Sequence, residues 1–188
     1  MLPEQIKNLR EMVTLKDGTY VLLRPMVKED RGHLDEMYAS LEKDDIHDFR
    51  HDVKNPAVLQ SWCDNLDYNK VLPVLALVKD RAVGSGTLHF FEGPKRHIGE
   101  VRIFLTRDFR KRGLGLKMIR MLVDLARKQG LSILTAEIIA EKTKVVRAFE
   151  QVGFVQRCTL VDHFMYSDGD CADVVMMTMQ LKPRTDEF

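Results

Sequence analysis

The sequence predicts an α/β (α+β) fold, a mixed and largely antiparallel central sheet flanked by helices. Three observations carry that reading. An Asp17-Gly18 turn sits between two apolar runs near the start of the chain, which is the signature of a hairpin. Three further apolar runs, 71–78, 82–91 and 98–105, are joined by connections short enough to return the chain beside itself. From 98 onward strand and helix patterns alternate, with helical periodicity at 113–129 and 142–152 and strand patterns at 131–139, 155–166 and 172–181.

Taken in order, residues 3–12 carry Ile6, Leu9 and Met12 at helical spacing and predict a short helix. Leu15 to Pro25 reads as the hairpin, its second strand ending in Arg24-Pro25. Leu34, Met37, Tyr38 and Leu41, three and four apart, predict a helix that packs on the sheet. The polar stretch 44–55, with His47 and His51, reads as a loop, and Asn55-Pro56 starts a second helix through Val58, Leu59, Trp62 and Leu66. The 113–129 helix turns Leu114, Met118, Met121, Leu122 and Leu125 to one side, opposite Lys117, Arg120, Asp124 and Arg127. Gly130 supplies its C-terminal stop. Ser167-Asp168-Gly169-Asp170 predicts the last turn. At 188 residues the chain fits a single domain, 1–188, with 1–12 as an N-terminal extension and 183–188 as a tail.

Composition excludes several classes of protein. Apolar residues make up 45% and charged residues 30%, and 29 basic side chains face 28 acidic ones for a net charge of +1, so bulk charge selects no partner. The basic cluster Arg107, Arg110, Lys111 and Arg112 is local. It suits a compact polyphosphate better than a nucleic-acid backbone, which wants an extended basic face. Cys63, Cys158 and Cys171 are widely spaced and odd in number, which argues against a disulfide framework or a metal site and for a reducing cytoplasm. No run approaches the ~20 apolar residues that span a bilayer, and the N-terminus has no apolar core of a signal peptide.

The most informative stretch is Arg110-Lys111-Arg112-Gly113-Leu114-Gly115, where the strand pattern stops and the amphipathic helix begins. The first turn of a helix has amides without intrahelical partners and carries about half a positive charge, so it favours an anion. A Walker loop would need Lys then Ser or Thr after its second Gly, and Leu116-Lys117 stand there. A dinucleotide loop would need a third Gly, and Met118 stands there.

What remains, Arg-x-x-Gly-x-Gly, resembles the pyrophosphate loop of the GCN5-related N-acetyltransferases (GNAT). Phe149-Glu150-Gln151-Val152-Gly153-Phe154 is similar to the end of that family's second conserved helix, and the Asp-Gly hairpin with Arg24-Pro25 is similar to the opening of many members. The resemblance runs from about Thr14 to Leu181, and Glu100 to Gly115 is especially similar to bacterial protein lysine acetyltransferases. It implies acetyl-coenzyme A as co-substrate, with no metal. Arg110, Lys111, Arg112, Gly113, Leu114, Gly115 and Leu116 would hold the diphosphate. Ile103, Phe104 and Leu105 would meet the pantetheine arm in a gap between two splayed strands, and Lys142 and Phe149 would stand beside the coenzyme. The acceptor implied is a small-molecule amine or a protein lysine, with neither nucleic acid nor membrane as partner.

Amine acetylation needs a neutral nitrogen, an oxyanion donor and a proton for the thiolate. A lysine-like amine is neutral in only about one part in two thousand at pH 7, so a carboxylate that takes its proton helps. Glu100 is the first candidate, aligned with the residue held to be the base in the similar lysine acetyltransferases. Glu137, within an apolar run, is the reserve, and His89 and His97 are expected on neighbouring strands. A backbone amide near Phe104 or Leu105 would meet the oxyanion. The family places a Tyr where Phe149 stands and an Asn where Lys142 stands, so the thiolate leaves unaided or takes its proton from water, Tyr166 or Cys158. These two departures point to an alternative, an acyl-coenzyme A sensor with weak or no turnover, while the intact loop and Glu100 point to an enzyme. The sequence leaves the acceptor, the acyl length and pairing into a homodimer open.

Overall fold

The structure is a computed structural model that describes residues 3–42, 45, 49–166 and 168–182. The expected tail 183–188, His47 and Ser167 lie outside the described residues.

Eight strands form one sheet in the order β1-β2-β3-β4-β5-β6-β8-β7. They are β1 Glu11–Thr14, β2 Tyr20–Pro25, β3 Val71–Val78, β4 Arg81–Phe90, β5 Ile98–Leu105, β6 Ile133–Ile139, β7 Val155–Met165 and β8 Cys171–Gln180. Every neighbouring pair is antiparallel except β5 and β6. The helices are α1 Pro3–Lys7, α2 Arg31–Ala39, α3 Pro56–Asp64, α4 Leu114–Lys128 and α5 Thr143–Val152. A mixed, mostly antiparallel sheet with flanking helices is the architecture expected from the sequence.

Local chemistry explains the elements. In the β1–β2 turn the Leu15 amide donates to Thr19 O at 2.8 Å, the Thr19 amide donates to Asp17 Oδ1 at 3.0 Å, and Gly18 takes φ +85°, where a side chain would be strained. Arg24, at the end of β2, donates two bonds of 2.6 and 2.5 Å to the buried Asp30, whose Oδ2 also accepts from the Val27 amide. The Arg-Pro pair therefore fixes the corner into α2. Asn55 caps α3 by accepting from the Ala57 amide at 2.9 Å, with Pro56 at the first helical position.

Residues 3–12 do not form the single short helix expected for them. The helix stops at Lys7, Glu11 to Thr14 is a sheet strand, and Ile6 and Val13 are buried in the main core. Apolar spacing alone did not separate a one-turn helix from the strand behind it.

Two clusters hold the sheet, one on each face. The larger packs α4, through Leu114, Met118, Ile119 and Leu122, with α5 against the central strands. Gly86 of β4 allows this helix its close seat, because a Cβ there would stand 2.9 Å from Leu122, while a Cβ on Gly84 would stand 2.6 Å from Leu105 of the neighbouring strand. The second cluster joins Leu34, Met37 and Tyr38 of α2 and Leu59 of α3 to Leu75 and Leu77 of β3, with Phe104 of β5 packed beside them.

Candidate active site

The feature that makes a site is a failure of pairing. β5 and β6 are parallel for three residues only, Ile98 with Ile133, Gly99 with Leu134 and Glu100 with Thr135, and then separate. The chain leaves β5 at Leu105, enters α4 at Leu114 and returns in β6, so the helix N-terminus stands at the open end of the gap. Register shows which backbone faces it. Thr106 donates its amide to Val83 O at 3.0 Å. By antiparallel alternation the amides of Phe104 and Arg102 then point at β4, while those of Val101, Ile103 and Leu105 point toward β6, Val101 where the strands still pair and Ile103 and Leu105 into the gap. Leu105 O accepts from Arg110 Nε at 3.0 Å. Of the expected backbone contacts, Ile103 and Leu105 present their amides to the cleft; Phe104 presents its ring to the α2 side instead.

The phosphate-loop residues divide into two groups. The amides of Lys111, Arg112, Gly113, Leu114, Gly115 and Leu116 have no acceptor among the described residues. Lys111 (φ +62°) and Gly113 (φ +87°) turn the chain through the left-handed region immediately before α4, forming a concave run of N–H groups at the positive end of the helix dipole. The arginines brace this run. Arg112 donates to Asp17 and to Thr19 Oγ1 at 2.8 Å and lies over the Phe109 ring, and Arg110 joins Leu105 O to Asp45 Oδ1. Lys111 is exposed and has no ion-pair partner among the described residues.

The two glycines also differ. A Cβ on Gly113 would meet only Lys16, at 3.9 Å, whereas a Cβ on Gly115 would lie 3.6 Å from Ile103 and Leu105. Gly113 serves the turn, and Gly115 lets the helix sit against β5.

Carboxylates and guanidiniums meet on the opposite face of the sheet. Glu100, 5% exposed, accepts from Arg102 Nε and Nη2, both at 2.8 Å, and its Oε1 lies 3.2 Å from Arg50 Nη2. The same Arg50 nitrogen donates to Glu137 Oε2 of β6 at 2.5 Å. Burial pushes the Glu100 carboxyl up, but the hydrogen bonds and charge of Arg102, with Arg50 behind it, outweigh burial and hold it below the usual glutamate value. Glu100 is therefore ionised at neutral pH. His89, paired with Glu100 across β4 and β5, is pushed down to about 4, first by burial and then by the charge of Arg102; its Nε2 lies 2.9 Å from Thr87 Oγ1.

Beside them an aromatic wall runs from Phe104 to Phe49 (centroids 5.0 Å apart), Tyr38 (5.4 Å from Phe49) and Trp62 (6.1 Å from Tyr38). The Tyr38 phenol is pushed up to about 12 by burial and stays protonated.

Other expected residues lie elsewhere. Phe149 is 2% exposed and meets Phe154 edge-on at 5.0 Å in the main core, so its ring packs the fold and offers the coenzyme nothing polar. His97 is an exposed turn residue before β5, not a strand residue. Tyr166 follows β7, two strands from the gap, with its ring edge-on to Phe164 at 5.4 Å. Cys158 is exposed on β7. Lys142 stands at the N-terminus of α5, half-buried. Burial pushes its amine down and the Asp45 carboxylate opposes that shift. Asp45 itself is buried between Arg107 Nε and Arg110 Nη2, each at 2.7 Å. Sequence reading singled out neither Arg50 nor Asp45, since both fall in a polar stretch without periodicity, and only the fold brings them to the cleft.

The same fold recurs in solved structures of low identity. The chain is similar to the GNAT domain of S. lividans PAT (17% identity, TM-score 0.75, covering 96% of this chain and 99% of that one). It is similar to yncA from Salmonella typhimurium, solved with its cofactor acetyl-CoA (19%, 0.73, 88% and 96%). It is also similar to Mycobacterium smegmatis RimJ, solved in complex with CoA-disulfide (16%, 0.77, 91% and 86%). A family model described as the acetyltransferase (GNAT) family matches residues 34–154, more than half of the sequence, and the chain belongs to that family.

Proposed function

We propose that this chain is an acetyl-coenzyme A-dependent N-acetyltransferase that modifies a primary amine, of a small molecule or of a protein lysine. One observation carries the reading: six consecutive amides, Lys111 to Leu116, have no acceptor among the described residues and converge where β5 and β6 part. A diphosphate is the anion that matches such a run, and its seat there directs the rest of the coenzyme along Ile103 and Leu105. The acetyl-CoA of yncA and the CoA-disulfide of RimJ, in structures of the same fold, support that choice of ligand.

The reaction then divides among residues in place. The acceptor enters on the Glu100 face and gives a proton to that carboxylate, which is ionised at neutral pH. Glu137 stands 28% exposed within reach of the same Arg50 nitrogen and is the reserve. The neutral amine attacks the thioester carbonyl carbon, the amide of Ile103 or Leu105 bonds the developing oxyanion, the attacking nitrogen gives its second proton to water, and the C–S bond breaks to give the N-acetyl product and a thiolate. With Phe149 packed in the core, the thiolate leaves unaided or takes its proton from water. The three free thiols, two of them exposed, support a reducing cytoplasm as the setting.

Calorimetry with acetyl-CoA, followed by thiol release over a panel of amines, tests the proposal. Saturable binding and amine-dependent thiol release are expected. Binding with no release on any acceptor would replace the enzyme with a sensor, and no binding would remove both.

A further inference from the structure

A cation of the chain itself fills the acceptor side of the cleft. Arg50, from the segment between α2 and α3, lays one nitrogen between carboxylates on the two strands that separate, 3.2 Å from Glu100 and 2.5 Å from Glu137. Glu100 does not need it, because Arg102 already gives that carboxylate two bonds of 2.8 Å. Glu137 has no other cation among the described residues. The four groups sum to zero charge with Arg50 in place and to minus one without it. Removing Arg50 therefore leaves a site that calls for another cation.

The walls suit an organic one. Phe49 and His51 flank Arg50 in sequence, Phe49 packs at a tilt against Phe104 with centroids 5.0 Å apart, and His51 meets Trp62 edge-on at 5.8 Å. Arg50 is itself partly exposed, 37%, so it can swing to water at small cost, whereas Glu100 is buried and keeps its place.

We infer that Arg50 is an internal competitor for the acceptor: the substrate enters as an ammonium ion, takes the place of the Arg50 guanidinium between Glu100 and Glu137, and loses its proton there. The selected class is cationic amines. An acceptor that also carries a carboxylate is disfavoured, because it would set a negative charge against both glutamates. This rests on the acetyltransferase reading for its consequence, although the exchange of cations is a binding event of its own.

Trp62, the single tryptophan, provides the readout, since its ring touches both His51 and Tyr38. The probes are 1,5-diaminopentane and 6-aminohexanoate, titrated by Trp62 fluorescence into wild type, Arg50→Gln, Arg50→Lys and Glu137→Gln. Wild type is expected to prefer the diamine. Arg50→Gln should bind it about fivefold tighter or more, in line with loss of a competing ion pair, and Glu137→Gln about fivefold weaker. Arg50→Lys keeps a competing cation and should stay near wild type. Unchanged or weaker diamine binding by Arg50→Gln, or a preference for 6-aminohexanoate, overturns the inference. The affinity for acetyl-CoA, measured on the same proteins, reads the acetyltransferase proposal separately and should not move.

Discussion

Arg112 Nε donates to Asp17 Oδ2 at 2.6 Å, tying the N-terminal hairpin to the phosphate loop across 95 residues of sequence. The guanidinium also lies 4.4 Å above the Phe109 ring, so hairpin, loop and strand end share one brace. The loop's open amides are thus held in shape by an exposed contact that involves no ligand.

Asp17→Ala removes that brace without touching the core. The expected outcome is a severalfold rise in the acetyl-CoA Kd with at most a small fall in melting temperature, from the lost bond to the Thr19 amide, by calorimetry and thermal unfolding. Asp17 is held down at about 2 by the Thr19 amide and hydroxyl, with Arg112 adding to the effect. Its charge therefore persists as pH falls toward 4, and the ratio of variant to wild-type Kd should stay flat from pH 5 to 9. A large fall in melting temperature beside the raised Kd would make Asp17 a fold residue rather than a loop brace.

Glu100→Gln leaves the shape of the cleft and removes the charge that accepts the proton. Turnover at pH 7 should fall on the order of 10²-fold, as for loss of a positioned base. The defect should shrink toward pH 10, where the amine loses its proton unaided. Because Arg102 holds the Glu100 carboxyl below its usual range, wild-type activity should show no acid limb from this group near pH 5. A loss that is constant with pH would mark Glu100 as scaffold.

Much of this molecule is legible in its sequence, and the reason differs by element. Strands β3 to β5 and helices α4 and α5 carry unbroken apolar patterns bounded by turn residues, so their limits come out within about two residues. The phosphate loop reads clearly because only glycine tolerates the turn at Gly113 and because cations at a helix N-terminus oppose the dipole unless an anion is bound. Arg50 and Asp45 do not read at all. Each owes its place to partners 50 or more residues away, Glu100 and Glu137 for the first, Arg107 and Arg110 for the second, and no local spacing encodes such a meeting. Phe149 sits between these cases. Its position in the helix was clear, but whether its ring meets the coenzyme or Phe154 depends on how α5 rolls against the sheet.

Gly113 separates backbone from ligand effects. At φ +87°, with open space where a Cβ would go, Gly113→Ala should cost about 1 kcal/mol of stability, from the backbone alone. Gly113→Glu should cost a similar amount and abolish acetyl-CoA binding, since it sets a carboxylate against the diphosphate. Thermal unfolding beside calorimetry distinguishes the two, and wild-type affinity in the Glu variant would remove the loop from the site.

Phe149→Tyr asks whether the family's usual acid can be restored. Buried edge-on against Phe154, a new hydroxyl finds no partner in the apolar core, and a loss of about 1–3 kcal/mol with no gain in turnover is expected. Phe149→Ala should cost about 3–5 kcal/mol, as for any large ring removed from a packed core. A rise in kcat for the Tyr variant would show that the ring reaches the thioester after all.

His89 makes stability depend on pH in a window set by its own titration. Burial, then the charge of Arg102, pushes it from 6.5 down to about 4, so between these values the unfolded chain binds a proton that the folded chain refuses. A base whose folded pKa is depressed contributes fully above 6.5, and that contribution is lost as pH falls from 6.5 to 4, by an amount on the order of 2–3 kcal/mol. Glu100, held below its usual value, loses its contribution as pH falls from the ordinary glutamate value of 4.5 downward, overlapping the lower end of the His89 window. Denaturant unfolding at half-unit steps should therefore show stability declining from pH 6.5 to 4 in wild type and a shallower slope in His89→Gln. Equal slopes in the two proteins would mean that His89 takes up its proton in the folded state without cost, and that water reaches the strand pair on which Glu100 stands.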